Sequence, residues 1–428
     1  MFIILPVFAL YAQSLPGGQN YTLVGIALGA YGLTQALLQV AFGRLSDRWG
    51  RKPVIYLGLV IFAIGSFIAG AADDLYWVIA GRAIQGAGAI SAAVIALTAD
   101  LTSERNRTKA MAIIGMTIGA TFALSMVVGP ALGHAIGVPG IFAMTGILAL
   151  CAILVVRFLV PDPEPSLSGT GAEPEVSLAR VLRDGQLMRL NFGIFILHGV
   201  LMALFIVVPV ALAQHLAPGA HWRAYLPAML GSVAIMLPVM LASERGGWQK
   251  PAFVGAVALL AAASAALGLL SHSLALFVLA LLLFFAAFNL LEASLPSLIS
   301  KLAPAGAKGA AIGVYSTTQF LGAFLGAVAG GWVAQRFGIG AVYWFCAMAA
   351  LAWLAISGGM SAPSGLSTRR YQLPRLESRR ALGLERELAT LPGVCEVMLS
   401  GDGFAYLKVD SAGFDEENVI RLIASKSG

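Results

Sequence analysis

The sequence predicts an all-α polytopic membrane bundle of twelve transmembrane helices in two six-helix halves, followed by a small α+β module at the C-terminal end. Three observations predict it. Of the 428 residues, 59% are hydrophobic and only 11% charged, where soluble domains carry about 25% charged residues. Apolar runs recur along the first 360 residues, and crossing ~30 Å of hydrocarbon takes ~20 residues at ~1.5 Å each. The stretch beyond them is charged and mixes helical with strand-like periodicity. The apolar runs read as helices because lipid offers backbone N–H and C=O groups no partner and the two-residue alternation of a membrane barrel is missing.

Spans are expected near residues 2–14, 21–42, 54–72, 75–99, 110–135 and 138–160, then near 191–214, 223–242, 252–270, 274–299, 309–335 and 340–360. The domains that follow are a first half at 1–160, a polar linker at 161–188, a second half at 189–360 and a tail at 361–428. Charge sets the sidedness. Arg44, Arg48, Arg51 and Lys52 fill one loop and Arg105, Arg107 and Lys109 another, while SLPGGQN and HAIGVPG carry no Lys or Arg. Basic loops stay in the cytoplasm, so both termini are expected there.

The first span begins almost at Met1, which suggests a truncated or misassigned start; a basic start region and a small-residue cleavage site, the marks of a secretory signal, are missing. In the linker, PDPEPSLSGTGAEPEVS is too rich in Pro, Gly, Ser and acids to pack in lipid. In the tail, YQLPRLE reads as a first strand, LERELAT as a helix, VCEVMLS and FAYLKVD as strands joined by a hairpin at Gly401, Asp402 and Gly403, and DEENVIRLIA as a final helix. That order resembles a ferredoxin-like module.

Several function classes lose their footing. Cys151, Cys346 and Cys395 are scattered, without a CxxC or a His cluster, so metal and disulfide roles are not expected. The net charge of +6 marks cytoplasmic loops rather than a nucleic-acid partner. The chain has no GxxxxGK[ST] loop for ATP, and its spans carry no GxSxG, HExxH or paired catalytic acids, so it is not expected to be an enzyme or to need a cofactor. An internal repeat sets Arg107 over Lys308 and Gly129 over Gly330, which predicts two related halves with a substrate site between them.

The most specific motif is GRLSDRWGRKP at 43–53, with Gly43, Asp47, Arg48, Gly50, Arg51 and Lys52 in order. Glycines permit a tight turn, and the carboxylate and guanidinium groups can tie helix ends by charge-assisted bonds. This loop resembles the signature loop of the major facilitator superfamily. The resemblance implies that the acid at Asp47 faces the start of the eleventh helix near Gly309 and that Arg51 meets Asp100. The cluster would latch the outward-facing state, at a cost of ~3 to 5 kcal/mol to break a partly buried pair, and protonation of Asp47 would loosen it.

GRAIQGAG at 81–88 resembles the family's fourth-helix motif and puts Arg82 inside the membrane, where it can bias a nearby acid or else snorkel to the outer surface. SMVVGPALGH at 125–134 resembles the antiporter motif GxxxGPxxGG through Gly129, Pro130 and Gly133, with Ser125 and His134 in place of its outer glycines. Proline removes a backbone bond and glycine permits close contact, so a bend is expected there.

Glu292 stands alone among the acids in lying well inside an apolar span, nine residues before Lys301; His198 lies nine after Arg189, so the two should share a depth and can share a proton. The competing reading makes Glu292, Asn289 and His198 a satisfied network between helices. Tyr31, Gln35, Gln85, Asn191 and Asn289 are polar groups able to orient a ligand in an apolar cavity. Gly322, Gly326 and Gly330, every four residues, read as helix packing.

FNLLEASLPSLISKLAPAGAKGAAIGVYSTTQFLGAFLGAVAGGWV, NRTKAMA and LNFGIFILHG resemble the drug:proton antiporter branch of the superfamily, and PGVCEVMLSGDGFAYLKVD is similar to the soluble YAM domain of some members. The resemblance implies a bacterial inner-membrane exporter driven by the proton gradient. Its partners would be a small-molecule substrate, protons and the lipid bilayer, with ligand binding or self-association at the tail. An importer or facilitator of a sugar or organic acid is the alternative, and a membrane sensor signalling through the tail a third.

Overall fold

The computed structural model describes residues 2–102, 104–162, 176–304, 308–360, 366–373, 378–400, 404–410 and 413–425. Its helices are α1 (Leu5–Gln13), α2 (Tyr21–Trp49), α3 (Arg51–Gly70), α4 (Leu75–Ala87), α5 (Ser91–Leu101), α6 (Glu104–Phe158), α7 (Val176–Arg183), α8 (Gly185–Ala213), α9 (Trp222–Gly246), α10 (Gln249–Leu269), α11 (Leu274–Leu302), α12 (Lys308–Phe337) and α13 (Ile339–Ser357). The tail follows as β1 (Leu366–Gln372), α14 (Ser378–Ala389), β2 (Val394–Ser400), β3 (Phe404–Asp410) and α15 (Glu416–Ser425).

Among the described residues, ten helical stretches are long and apolar enough to cross a membrane, and Phe2–Gln13 is a shorter apolar helix. The Lys109–Phe158 stretch, 50 residues long, is two rods. At Gly137 the backbone turns to φ 70°, ψ 168°, which favours glycine, and Pro139 then leads off the second rod. The seven-residue loop expected at HAIGVPG is thus reduced to one glycine. With that break and the short helix counted, the rods follow the twelve expected spans.

Polar residues fix several helix starts. Asn20 accepts from Thr22 N at 3.0 Å and Leu23 N at 3.3 Å, Asp74 from Trp77 N at 2.9 Å, and Asp184 from Gln186 N at 2.8 Å and Leu187 N at 3.2 Å. Each cap satisfies N–H groups that have no partner inside their helix.

Two compact units emerge: one comprises residues 1–166, 192–292 and 316–358, the other 167–191, 293–315 and 359–428. In the first unit α12 is held on two sides by glycine contacts. A Cβ at Gly25, Gly29 or Gly32 of α2 would strike the α12 backbone near Ala327, Phe324 and Phe320. Likewise a Cβ at Gly322, Gly326 or Gly330 of α12 would strike α8 at Phe195, Gly199 and Ala203. Small residues let helices approach where lipid supplies no hydrophobic drive for association. Gln39 Nε2 adds a 2.7 Å bond to Thr317 Oγ1, and Tyr21 N donates to Gln335 Oε1 at 2.7 Å.

In the second unit the sheet order is β1-β3-β2, all antiparallel. One face packs Ala405, Leu407 and Val409 against Leu384 and Leu388 of α14 and Val419 and Ile423 of α15. The first strand is Leu366–Gln372 rather than YQLPRLE; it ends two residues before Pro374, which has no N–H to give a ladder. The expected hairpin residues Gly401, Asp402 and Gly403 lie outside the described residues, although Ser400 and Phe404 pair across it.

Candidate functional site

Gly50 separates α2 from α3 at φ 90°, a left-handed value that needs glycine. That turn carries Arg51 back toward α2 and α5. Its Nε donates to Asp100 Oδ2 at 2.8 Å, its Nη1 to Ser46 Oγ at 2.9 Å, and it pairs with Asp47. The contact implied between Arg51 and Asp100 is therefore present. Arg48 is exposed and Gly43 makes ordinary contact with Ala92. Asp47 is 62% exposed and Asp100 36%, so these pairs belong on the surface scale of ~0.2 to 1 kcal/mol, not on the buried scale expected from the sequence.

Lys52, buried, donates Nζ to Val160 O at 2.7 Å and meets Asp162 Oδ1 at 2.7 Å. That hydrogen bond holds the Asp162 carboxyl below its ordinary range. Asp162 was missed in the sequence because it sits in a Pro-rich run that reads only as linker; the signal was an acid placed at the end of an apolar span.

Arg82 is 1% exposed, so it does not snorkel. Its Nη1 donates to Gln85 Oε1 at 2.9 Å and its Nη2 to Leu28 O at 3.2 Å, and it stands 5.1 Å from the Tyr31 ring centroid. Gln85 Nε2 donates on to Ser66 Oγ at 2.7 Å. Gln35 Nε2 donates to Ser91 Oγ at 3.2 Å. Arg82, Gln85 and Gln35 thus make helix-to-helix bonds. Gly129 lies against Ile3 and Pro6, and Gly133 against Val7, so the Gly-Pro-Gly stretch of α6 seats the first helix.

A second cluster sits on α8, α11 and α12. Glu292 Oε2 is 3.8 Å from His198 Nδ1, and Gln319 Nε2 lies 2.8 Å from His198 Nε2 and donates to Glu292 Oε1 at 3.3 Å. The common depth read from Arg189 and Lys301 does bring the acid and the imidazole together. Gln319 was missed, although a lone Gln inside an apolar helix was the available signal. His198 Nδ1 and Glu292 Oε2 face each other without a hydrogen-bond partner; at 3.8 Å they are too far apart for a direct bond. The Glu292 side chain is 35% exposed and His198 13%. Nearby, Asn289 Nδ2 donates to Ser232 Oγ at 3.1 Å, and His198 lies 5.9 Å from the Phe288 ring. Asn191, in the other unit, is buried with both amide atoms unpartnered.

The first unit is tight at one end. Phe122 of α6 meets Phe288 at 5.8 Å and Phe285 at 6.1 Å, and Gly219, just before α9, lies against His134 of α6. Before Phe122 the packing thins: every residue from Gly115 to Thr121 is exposed, and among the described residues no neighbour would stand within 4 Å of a Cβ at Gly115 or Gly119. On α9, Val233, Ala234, Ile235, Leu237, Pro238, Leu241 and Ala242 are exposed as well. The bare residues of α6 lie between Phe122 and the start of that helix.

The Major Facilitator Superfamily model matches residues 1–327. The inner membrane transport protein YajR of Escherichia coli (strain K12) is 43% identical, with 98% of this chain and 94% of that protein covered. An uncharacterized transporter of Buchnera aphidicola subsp. Schizaphis graminum (strain Sg) is 32% identical across 83% of this chain and 92% of its own. The crystal structure of the human organic anion transporter MFSD10 (TETRAN) matches with a TM-score of 0.61 at 19% identity, covering 83% of this chain and 95% of that one, a likeness of fold alone. Apolar helices packed through glycines, the charged 43–53 loop and these matches converge on one conclusion: this membrane protein belongs to the major facilitator superfamily and is a secondary transporter.

Proposed function

We propose that the chain is a proton-coupled antiporter of the bacterial inner membrane that exports a small molecule by alternating access, with both termini in the cytoplasm. The Glu292, His198 and Gln319 cluster carries the reading. A carboxyl and an imidazole 3.8 Å apart can exchange a proton through small movements, and the Glu292 side chain is about one-third exposed. Gln319 donates to the carboxyl at 3.3 Å, and loss of the negative charge would weaken that tie between α11 and α12. Substrate enters on the loop side, beside Asn289, while Phe122, Phe285 and Phe288 close the opposite end.

The test is a liposome assay in which a compound panel is offered against an imposed proton gradient. The expected result is substrate-dependent proton release that moves compound against its own gradient. Substrate and protons travelling in the same direction would make the chain an importer and overturn the reading.

Two predictions concern the substrate entrance and the loop. In a cysteine-free background, Gly119→Cys should react with a membrane-impermeant thiol reagent added from the loop side. Protection from that side would place the entrance elsewhere. The loop sets the balance between the two end states. Asp47→Asn is expected to shift that balance by no more than about fivefold, the scale of one exposed pair. Arg51→Ala, which loses Asp47, Ser46 and Asp100 together, should shift it further. Distances between spin labels across the two ends would check both, and an unchanged distribution for Arg51→Ala would remove the loop from this role.

A further inference from the structure

An open cleft of about 600 Å³ in the second unit is lined by Arg180 and Arg183 of α7, by Asp184, by Leu302 and Pro304 at the end of α11, and by Glu396 of β2. It joins three parts of the chain: the linker helix, a membrane helix end and the C-terminal module. Its acids are already engaged. Asp184 caps α8 through Gln186 N and Leu187 N, and Glu396 Oε1 meets Arg180 Nη1 at 3.4 Å. Arg183 is exposed and has no hydrogen-bond or ion-pair partner among the described residues. Among the described residues the cleft therefore holds one unpaired guanidinium beside a second one that is held loosely, since Arg180 is 56% exposed.

We propose that this cleft binds a phosphate-bearing anion, either a lipid headgroup of the inner leaflet or a free phosphate, and that the anion replaces Glu396 at Arg180. Two guanidinium forks match phosphate oxygens in a bidentate manner, and a long, solvent-exposed ion pair is weak competition. The lipid source has a specific attraction. Leu178 and Leu182 are about half exposed on α7, which runs within two residues into the membrane-spanning α8, so the helix can rest at the bilayer surface with leucines down and arginines at headgroup level. Losing Arg180 would remove one tie between β2, an edge strand of the sheet, and the linker helix. The module would then be coupled to, or released from, the linker according to anion supply.

The experiment follows hydrogen exchange of residues 176–183 and 394–400 in the full-length protein. One arm uses phosphatidylcholine nanodiscs with inorganic phosphate or sodium chloride at equal ionic strength. The other uses phosphatidylglycerol discs without phosphate. Exchange in 394–400 is expected to rise about two- to fivefold in at least one arm, the scale of losing an exposed pair; a rise with phosphate alone identifies the soluble anion, and one with phosphatidylglycerol alone identifies the lipid. Arg183→Gln should abolish the response, and Glu396→Gln should raise basal exchange and make it insensitive. Equal effects of chloride and phosphate with inert phosphatidylglycerol, or a response that survives Arg183→Gln, would overturn the proposal.

Discussion

Glu292→Gln is expected to abolish proton-coupled transport while leaving the protein folded and able to bind its substrate. The amide keeps the shape and the hydrogen-bonding reach toward Gln319, 3.3 Å away, so packing on α11 is preserved. What it loses is the charge: glutamine neither releases a proton nor draws one from His198. Reconstituted variant should therefore give substrate-induced proton flux at the level of empty vesicles, with downhill substrate exchange retained. His198→Gln tests the same step differently. With Glu292 still in place, proton flux should persist but weaken, because the imidazole 3.8 Å away is gone. Full proton flux in Glu292→Gln would exclude this carboxylate from coupling.

The largest structural effect is expected at the crossing of α8 and α12. On an open helix, replacing glycine by alanine gains about 1 kcal/mol. At Gly326 the new Cβ would collide with the backbone of Gly199, and backbone cannot swing aside as a side chain does. Overpacking costs ~1 to 3 kcal/mol, and a backbone clash belongs at the upper end, so Gly326→Ala should be net destabilising by about 2 kcal/mol. Gly326→Leu should prevent recovery of a monodisperse protein. Gly255→Ala is the control, since nothing lies within 4 Å of that position. Thermal unfolding in detergent should separate the two, and a Gly326→Ala protein as stable as the native one would show that the crossing is looser than drawn.

The loop illustrates how far sequence reasoning reached. The order of Gly, Asp, Arg and Lys in 43–53 was legible, as was the partnership of Arg51 with Asp100. The strength of that cluster was not, because exposure depends on neighbours that only folding supplies. The polar residues of the spans divided in the same way. Counting from Arg189 and Lys301 placed His198 and Glu292 at one depth, and a helix with ~1.5 Å rise per residue leaves little freedom in depth. Which faces they present is a rotation that depends on packing, so the joining of Gln319 to both was not legible. Gln35 and Gln85, equally polar on paper, became bonds between helices.

By itself the sequence determined that the chain crosses a membrane as helices, where the charged loop lies, and the order of strands and helices in the tail. Those follow from local composition: unpaired backbone is intolerable in lipid, and residue spacing sets element type. Tertiary structure alone decided that α12 is held between α2 and α8 and that Asp162 pairs with Lys52. The physical reason is that hydropathy makes all faces of an apolar helix alike. Which face meets a neighbour is settled only by close fit, here at glycines whose partners lie far away in the sequence.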